Sequence, residues 1–133
     1  MRRAKSALWL AVLFLMVGCT SVYYFKQSRV AKVCGDKPGN PPIVCINPVT
    51  LQPIKGHEEP HASRSKRQWV HFFFVTGNDD LQITCDALEY IDHDGRGHAW
   101  GRVRRDATYG KHLYAAINAS LRKGTDPTII IDK

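Results

Sequence analysis

Short apolar runs, separated by turns rich in Gly, Pro, Asn and Asp, follow one another along the chain from residue 42 onward. Apolar and polar residues alternate within several of these runs, and a period of two is typical of strands with one buried face. Residues 68–75 are apolar or aromatic on both faces, which predicts a central strand covered on both sides. The alternative is that Phe72 and Phe74 lie open on one face as a patch for a partner.

Roughly six or seven such strands with turns between them predict an all-β fold, a single small β-sandwich over residues 42–133. A helix over residues 112–122 is the main local alternative, because three alanines in this segment favour it. Residues 55–67 are polar and lack apolar periodicity, so they are predicted to form a loop. The residues predicted to be largely buried are Trp69, Phe73, Leu81, Ile83, Trp100, Tyr114 and Ile130.

The N-terminus is organised differently from the rest of the chain. Three basic residues among the first five precede an uncharged run at residues 6–18, which is the order of an export signal. The run ends in Gly18-Cys19-Thr20-Ser21, which resembles the lipobox of bacterial lipoproteins. The resemblance implies a signal peptide at residues 1–18 and lipid, including palmitate, on Cys19. An uncleaved membrane anchor is the alternative, because no charge occurs between residues 6 and 25.

Both interpretations of the N-terminus place the domain outside the cytoplasm. We expect it in the cell envelope, facing the periplasm, with residues 19–41 as a polar tether from the membrane. An outer-membrane lipoprotein is favoured because Thr20, and not Asp, follows Cys19. An inner-membrane signal anchor is the alternative location.

The expected redox state of the cysteines and the net charge of the mature chain both depend on export. In an oxidising compartment, Cys34 and Cys45 are predicted to form a disulfide because they flank a loop rich in Gly and Pro. Cys85 lies in an alternating apolar segment and is predicted to be a buried free thiol. The formal net charge of the 133 residues is +7, and it falls to +4 (16 minus 12) once the three basic residues of the signal are removed.

Two histidine clusters are candidates for a metal site. His57 and His61 enclose two glutamates, and His93 and His98 enclose Asp94, so each cluster offers ligands that Zn²⁺ or Ni²⁺ accepts. They leave open an alternative function, a periplasmic metal-handling protein. The favoured interpretation is a solvated loop for the first cluster and a turn for the second, with no cofactor. No Ser or Cys lies in a recognisable nucleophile motif, so no enzymatic activity is predicted.

Basic residues fall in short clusters that strands of a sandwich can bring together. Export argues against nucleic acid as their partner, and leaves anionic envelope components or an acidic protein surface. Scattered solvated charge is the other interpretation. The residues of this possible patch are Arg64, Lys66, Arg67, Arg102, Arg104 and Arg105.

The order of strands carries a second resemblance. Pro48-Val49-Thr50, followed by Trp69-Val70-His71-Phe72, is similar to the opening of cupredoxin-like domains, and Gly110, Tyr114 and residues 128–131 are similar to their close. The resemblance implies a Greek-key sandwich of cupredoxin or immunoglobulin type. Copper-binding members have Cys, His and Met ligands between the last two strands, whereas residues 118–127 have none. We therefore expect a membrane-anchored extracytoplasmic binding module without copper, whose partner is another envelope protein.

Overall fold

Residues 34–133 are described by the structure, a computed structural model. They form nine strands and no helix, and none of this part of the chain has the length and hydropathy of a membrane-spanning helix. The predicted signal or anchor, Cys19 and the tether up to residue 33 lie outside the described residues. The strands are β1 (Ile43–Ile46), β2 (His61–Ser63), β3 (Trp69–Phe74), β4 (Leu81–Cys85), β5 (Leu88–His93), β6 (His98–Val103), β7 (Gly110–Asn118), β8 (Lys123–Thr125) and β9 (Thr128–Asp132).

The nine strands form two sheets that pack face to face. The first sheet has the order β1-β3-β6-β5, and the second has the order β2-β9-β7-β4 with β8 beside β7. Two of the pairings, β1 with β3 and β2 with β9, are parallel, and the others are antiparallel. The predicted all-β sandwich is confirmed, and β3 is an interior strand of its sheet, as expected.

The core uses the opposite face of β3 from the one predicted. Phe72 and Phe74 are fully buried, whereas Phe73 is half-buried and Trp69 is 38% exposed. The ring of Phe72 packs 5.0 Å from that of Tyr114 in the second sheet. The expectation that Trp69 and Phe73 lie in the core was therefore wrong, and so was the alternative of an open patch at Phe72 and Phe74.

The partner strand β6 explains this choice of face. Its inward positions are occupied by small residues, Ala99 and Gly101, which lie opposite Phe72 and Val70 and leave space for large side chains. Its outward positions include His98 and Arg102, whose polar groups are better solvated outside the core. Because pairing fixes the face of every residue in a strand, β3 follows β6.

Of the other residues predicted to lie in the core, some are buried and some are not. Leu81, Ile83 and Tyr114 are buried, as predicted. Trp100 and Ile130 are only half-buried, because their neighbours in sequence fill the inward positions.

The strands β2 and β5 and the helix considered for residues 112–122 also differ from expectation. The three-residue β2 lies inside the predicted loop at residues 55–67, where parallel pairing of His61 with Ile130 of β9 forms it. The strand β5, which was not predicted, is irregular and contains a register shift between Glu89 and Asp92. Residues 110–118 are a strand, β7, so the alternative of a helix over 112–122 was wrong.

Residues 34–41, predicted to belong to the tether, are attached to the first sheet. The predicted disulfide between Cys34 and Cys45 is confirmed, with Cα atoms 5.9 Å apart, and Cys45 lies in β1. The backbone N–H of Ile43 also donates to the Pro38 carbonyl at 2.8 Å. These two contacts hold the segment of residues 34–41 on β1 and the loop before it.

Candidate functional site

The outer surface of the first sheet presents two adjacent rows of large side chains from β3 and β6. Antiparallel pairing places Trp69 opposite Arg102, His71 opposite Trp100 and Phe73 opposite His98. All six side chains are at least partly exposed, since the opposite face of both strands fills the core. We call this surface the aromatic–imidazole face, and it consists of Trp69, His71, Phe73, His98, Trp100 and Arg102.

Ring contacts connect most of this face into one array. The rings of Phe73 and His98 are stacked, with centroids 4.0 Å apart and planes at 6°. His98 also lies against Trp100 at 4.8 Å and against His71 at 5.3 Å. His71 Nδ1 and His98 Nε2 are 3.0 Å apart, a hydrogen-bond distance. The rings therefore support one another across the two strands.

The two imidazoles of the face are held in their neutral form. Burial, and to a smaller extent the adjacent His71, lower the pKa of His98 to about 4, against an opposing effect of Asp94. Burial also lowers the pKa of His71. A hydrogen bond between two imidazoles needs one donor and one acceptor, and two neutral rings provide them. Both rings are therefore uncharged at neutral pH.

The predicted basic residues belong to segments that meet at one corner of the sandwich, where the β2–β3 turn lies against the end of β6. Arg64 donates to the Ala107 carbonyl at 3.0 Å, and Arg102 Nε donates to the Arg67 carbonyl at the same distance. Arg102 belongs to this corner and to the aromatic–imidazole face, so the two surfaces are continuous. We call this cluster the basic corner, and it consists of Arg64, Lys66, Arg67, Arg102, Arg104 and Arg105.

Acidic residues neutralise part of the basic corner. Arg67 forms an ion pair with Glu89, and Arg104 Nε lies 3.0 Å from Asp106 Oδ1. Six of the 19 basic residues and none of the 12 acidic residues precede residue 34, so residues 34–133 have a net charge of +1 (13 minus 12). The corner is therefore a local feature of a nearly neutral domain.

The predicted histidine clusters do not assemble as metal sites. His57 is fully buried, and not solvated as expected: Nδ1 accepts from the Cys45 N–H at 3.1 Å, and Nε2 donates to the Gly35 carbonyl at 2.6 Å. His61 is exposed and pairs with Asp132. Both nitrogens of His57 are thus unavailable to a metal.

The two histidines of the second cluster also have different partners and do not form one site. His93 lies 2.8 Å from Asp80, whereas His98 contacts His71. Among residues 34–133, no group of three or more His, Cys, Asp or Glu side chains is arranged to hold a metal ion.

A shallow cleft of about 500 Å³ lies at the edge of β4 and β7. It is lined in part by Cys85, Asp86 and His112. Burial raises the pKa of the Cys85 thiol, and both nitrogens of His112 are engaged, with Asp86 at 3.0 Å and the Thr108 carbonyl at 2.7 Å. A thiol that stays protonated beside an engaged imidazole is a poor nucleophile.

His71 lies in the other sheet from Cys85, so it does not form a thiol–imidazole pair with this cysteine. His71 was not among the predicted site residues, and Trp69, Phe73 and Trp100 were predicted to lie in the core and not on this face. The sequence signal was the alternation within each strand. Residues 69, 71 and 73, and likewise residues 98, 100 and 102, have a ring or a basic group, and small or core residues lie between them.

Comparison of the chain with models of protein families and with curated proteins gave no match.

Proposed function

We propose that this protein is a membrane-anchored binding module of the cell envelope, and that its aromatic–imidazole face contacts another envelope protein. The observation that carries the proposal is the contiguous array of Phe73, His98, Trp100 and His71 on the outside of a sheet. A monomeric domain seldom leaves a contiguous ring cluster partly exposed on the outer surface of a sheet unless that surface contacts a partner.

The composition and rigidity of the face favour a protein as that partner. Trp and Arg are the residues most enriched where binding energy concentrates at protein interfaces, and this face has Trp69, Trp100 and Arg102. The guanidinium of Arg102 lies 5.7 Å from the Trp69 ring centroid. Stacked rings on paired strands have already lost most of their freedom, so binding costs little further side-chain entropy.

The adjoining basic corner favours an acidic surface on the partner. Lys66 and Arg105 are exposed and have no ion-pair partner within residues 34–133. Together with Arg102, they offer positive charge beside an apolar contact area. Such an arrangement steers an acidic partner toward the face and sets its orientation. Nucleic acid is a poorer fit, because the net charge of the domain is only +1 (13 minus 12).

Anchoring at the membrane rests on the sequence alone. The uncharged run at residues 6–18 and Gly18-Cys19-Thr20-Ser21 support export and lipidation of Cys19. A lipid or an uncleaved anchor would confine the module to the bilayer surface, which raises its effective concentration for a partner in the same membrane.

Crosslinking in intact cells followed by affinity purification tests the binding face. We expect Trp69→Ala and Trp100→Ala to reduce capture of a specific envelope protein at least tenfold, because each removes a large part of the contact area. Leu113→Ala and Val49→Ala are the matched controls, since both side chains are exposed, at 65% and 63%, outside the face. Thermal unfolding of each variant checks that the domain remains folded. Capture that survives both Trp changes, or that fails in Leu113→Ala, would show that the partner binds elsewhere.

A further inference from the structure

The His71–His98 pair has the geometry of two adjacent metal ligands. Imidazole nitrogens bind a transition metal at about 2.0–2.1 Å, so two of them in neighbouring coordination positions lie about 2.8–3.4 Å apart. His71 Nδ1 and His98 Nε2 are 3.0 Å apart, within this range. To bind one ion together, both rings must turn so that the two nitrogens point at the ion instead of at each other.

The surrounding sheet holds the two ligands in place. His71 and His98 lie on neighbouring strands, and Phe73, opposite His98 in the register, stacks on its ring at 4.0 Å. Supported ligands lose less entropy when a metal binds them. Both rings are also neutral, and neutral imidazole is the form that coordinates metals.

We propose that His71 Nδ1 and His98 Nε2 chelate a divalent transition-metal ion on the outer face of the first sheet. The proton shared between the two nitrogens leaves the ring that carries it, and the other nitrogen of that ring takes up a proton from water. The two rings thus stay neutral, and two nitrogen–metal bonds replace one hydrogen bond.

The ligand set predicts the class of metal. Imidazole suits Cu²⁺, Ni²⁺ and Zn²⁺, and at equal geometry Cu²⁺ binds such a site most tightly. Since no third side-chain ligand is present within residues 34–133, water or an exogenous ligand completes the coordination. The site does not depend on the proposed protein partner. It also differs from both clusters predicted from the sequence, because it joins His98 to His71.

Quenching of tryptophan fluorescence by Cu²⁺ tests this site in the full-length protein in detergent. Trp100 lies 4.8 Å from the His98 ring, so a paramagnetic ion at the pair quenches it efficiently. We expect saturable quenching with one Cu²⁺ per chain, which excess Zn²⁺ reverses. His71→Phe and His98→Phe should each weaken binding at least tenfold. His61→Phe and His93→Phe, which alter exposed histidines outside the face, should leave it unchanged.

A spectroscopic measurement keeps the proposal falsifiable if a variant fails to fold. Electron paramagnetic resonance of the Cu²⁺-loaded parent protein should show hyperfine coupling to two imidazole nitrogens. Coupling to one imidazole or none would overturn the site, and so would wild-type affinity in folded His71→Phe or His98→Phe. Neither measurement includes a protein partner. Failure to bind Cu²⁺ would therefore leave the proposed binding function standing, and failure to capture a protein partner would leave the metal site standing.

Discussion

His57 is fully buried, yet both of its ring nitrogens have backbone partners on different segments. It joins β1, through the Cys45 N–H, to the preceding loop, through the Gly35 carbonyl. The neighbouring Gly56 has a φ of +91°, and a Cβ there would lie 2.0 Å from the Asp36 carbonyl oxygen. At this scale one imidazole, one glycine and the Cys34–Cys45 disulfide fix the loop of residues 34–41 on the sheet.

Replacement of His57 by Ala should destabilise the domain by about 2–3 kcal/mol, because it leaves the buried Cys45 N–H without the imidazole acceptor and removes the hydrogen bond to the Gly35 carbonyl. His61→Ala is the control, since His61 is exposed and its removal should cost under about 0.5 kcal/mol. Urea denaturation of the oxidised protein measures both values. Equal and small changes in the two variants would mean that water replaces the imidazole.

At the scale of a single strand, β3 contains neighbouring phenylalanines in two environments, the core and the outer face of the sheet. Phe72 and Phe74 pack in the core, and Phe73 lies half-buried between His71 and His98 on the outer face. Their chemistry is identical, so only the pairing of β3 with β6 distinguishes them. This is why the pattern of residues 68–75 predicted an interior strand correctly but did not identify its inward face.

Phe72→Ala should therefore cost about 3–5 kcal/mol of unfolding free energy, because it empties a volume in a closed core. Phe73→Ala should cost less than half as much, since water and the neighbouring rings can fill the space at the surface. Chemical denaturation of the two variants under the same conditions gives the comparison. A larger loss for Phe73 than for Phe72 would reverse the assignment of the faces.

At the scale of the whole molecule, charge and ring clusters are distributed unevenly. The segment before residue 34 contains six basic and no acidic residues, and residues 34–133 are close to neutral. The domain concentrates its exposed rings on the first sheet and its converging arginines at the adjacent corner. An outer face of clustered rings beside a local positive charge is consistent with the proposed role as a binding module.

Cys19→Ala should leave a larger, uncleaved precursor and abolish labelling with palmitate, because the thiol of Cys19 is the proposed acceptor of the lipid. Immunoblotting and metabolic labelling read out the two effects. Cys85→Ala is the control and should retain both cleavage and label, since Cys85 lies at the end of β4 within the folded domain. A parent protein of full-length size without label would instead support the uncleaved anchor.

Local pattern was sufficient for the features that depend on neighbours in sequence. The period of two predicted most strands, the turns between them indicated an all-β fold, and a short Gly/Pro-rich loop brought Cys34 and Cys45 within bonding reach. These features follow from backbone geometry and side-chain size over a few residues.

Tertiary structure decided everything that depends on which strands become neighbours. Pairing of β3 with β6 placed His71 against His98, and the β2–β3 turn brought Arg67 to Arg102. His57, which was predicted to lie in a solvated loop, is instead a core residue that forms hydrogen bonds with the backbone. In a strand, a shift of one residue exchanges the two faces, and where both are apolar only the partner strand selects between them.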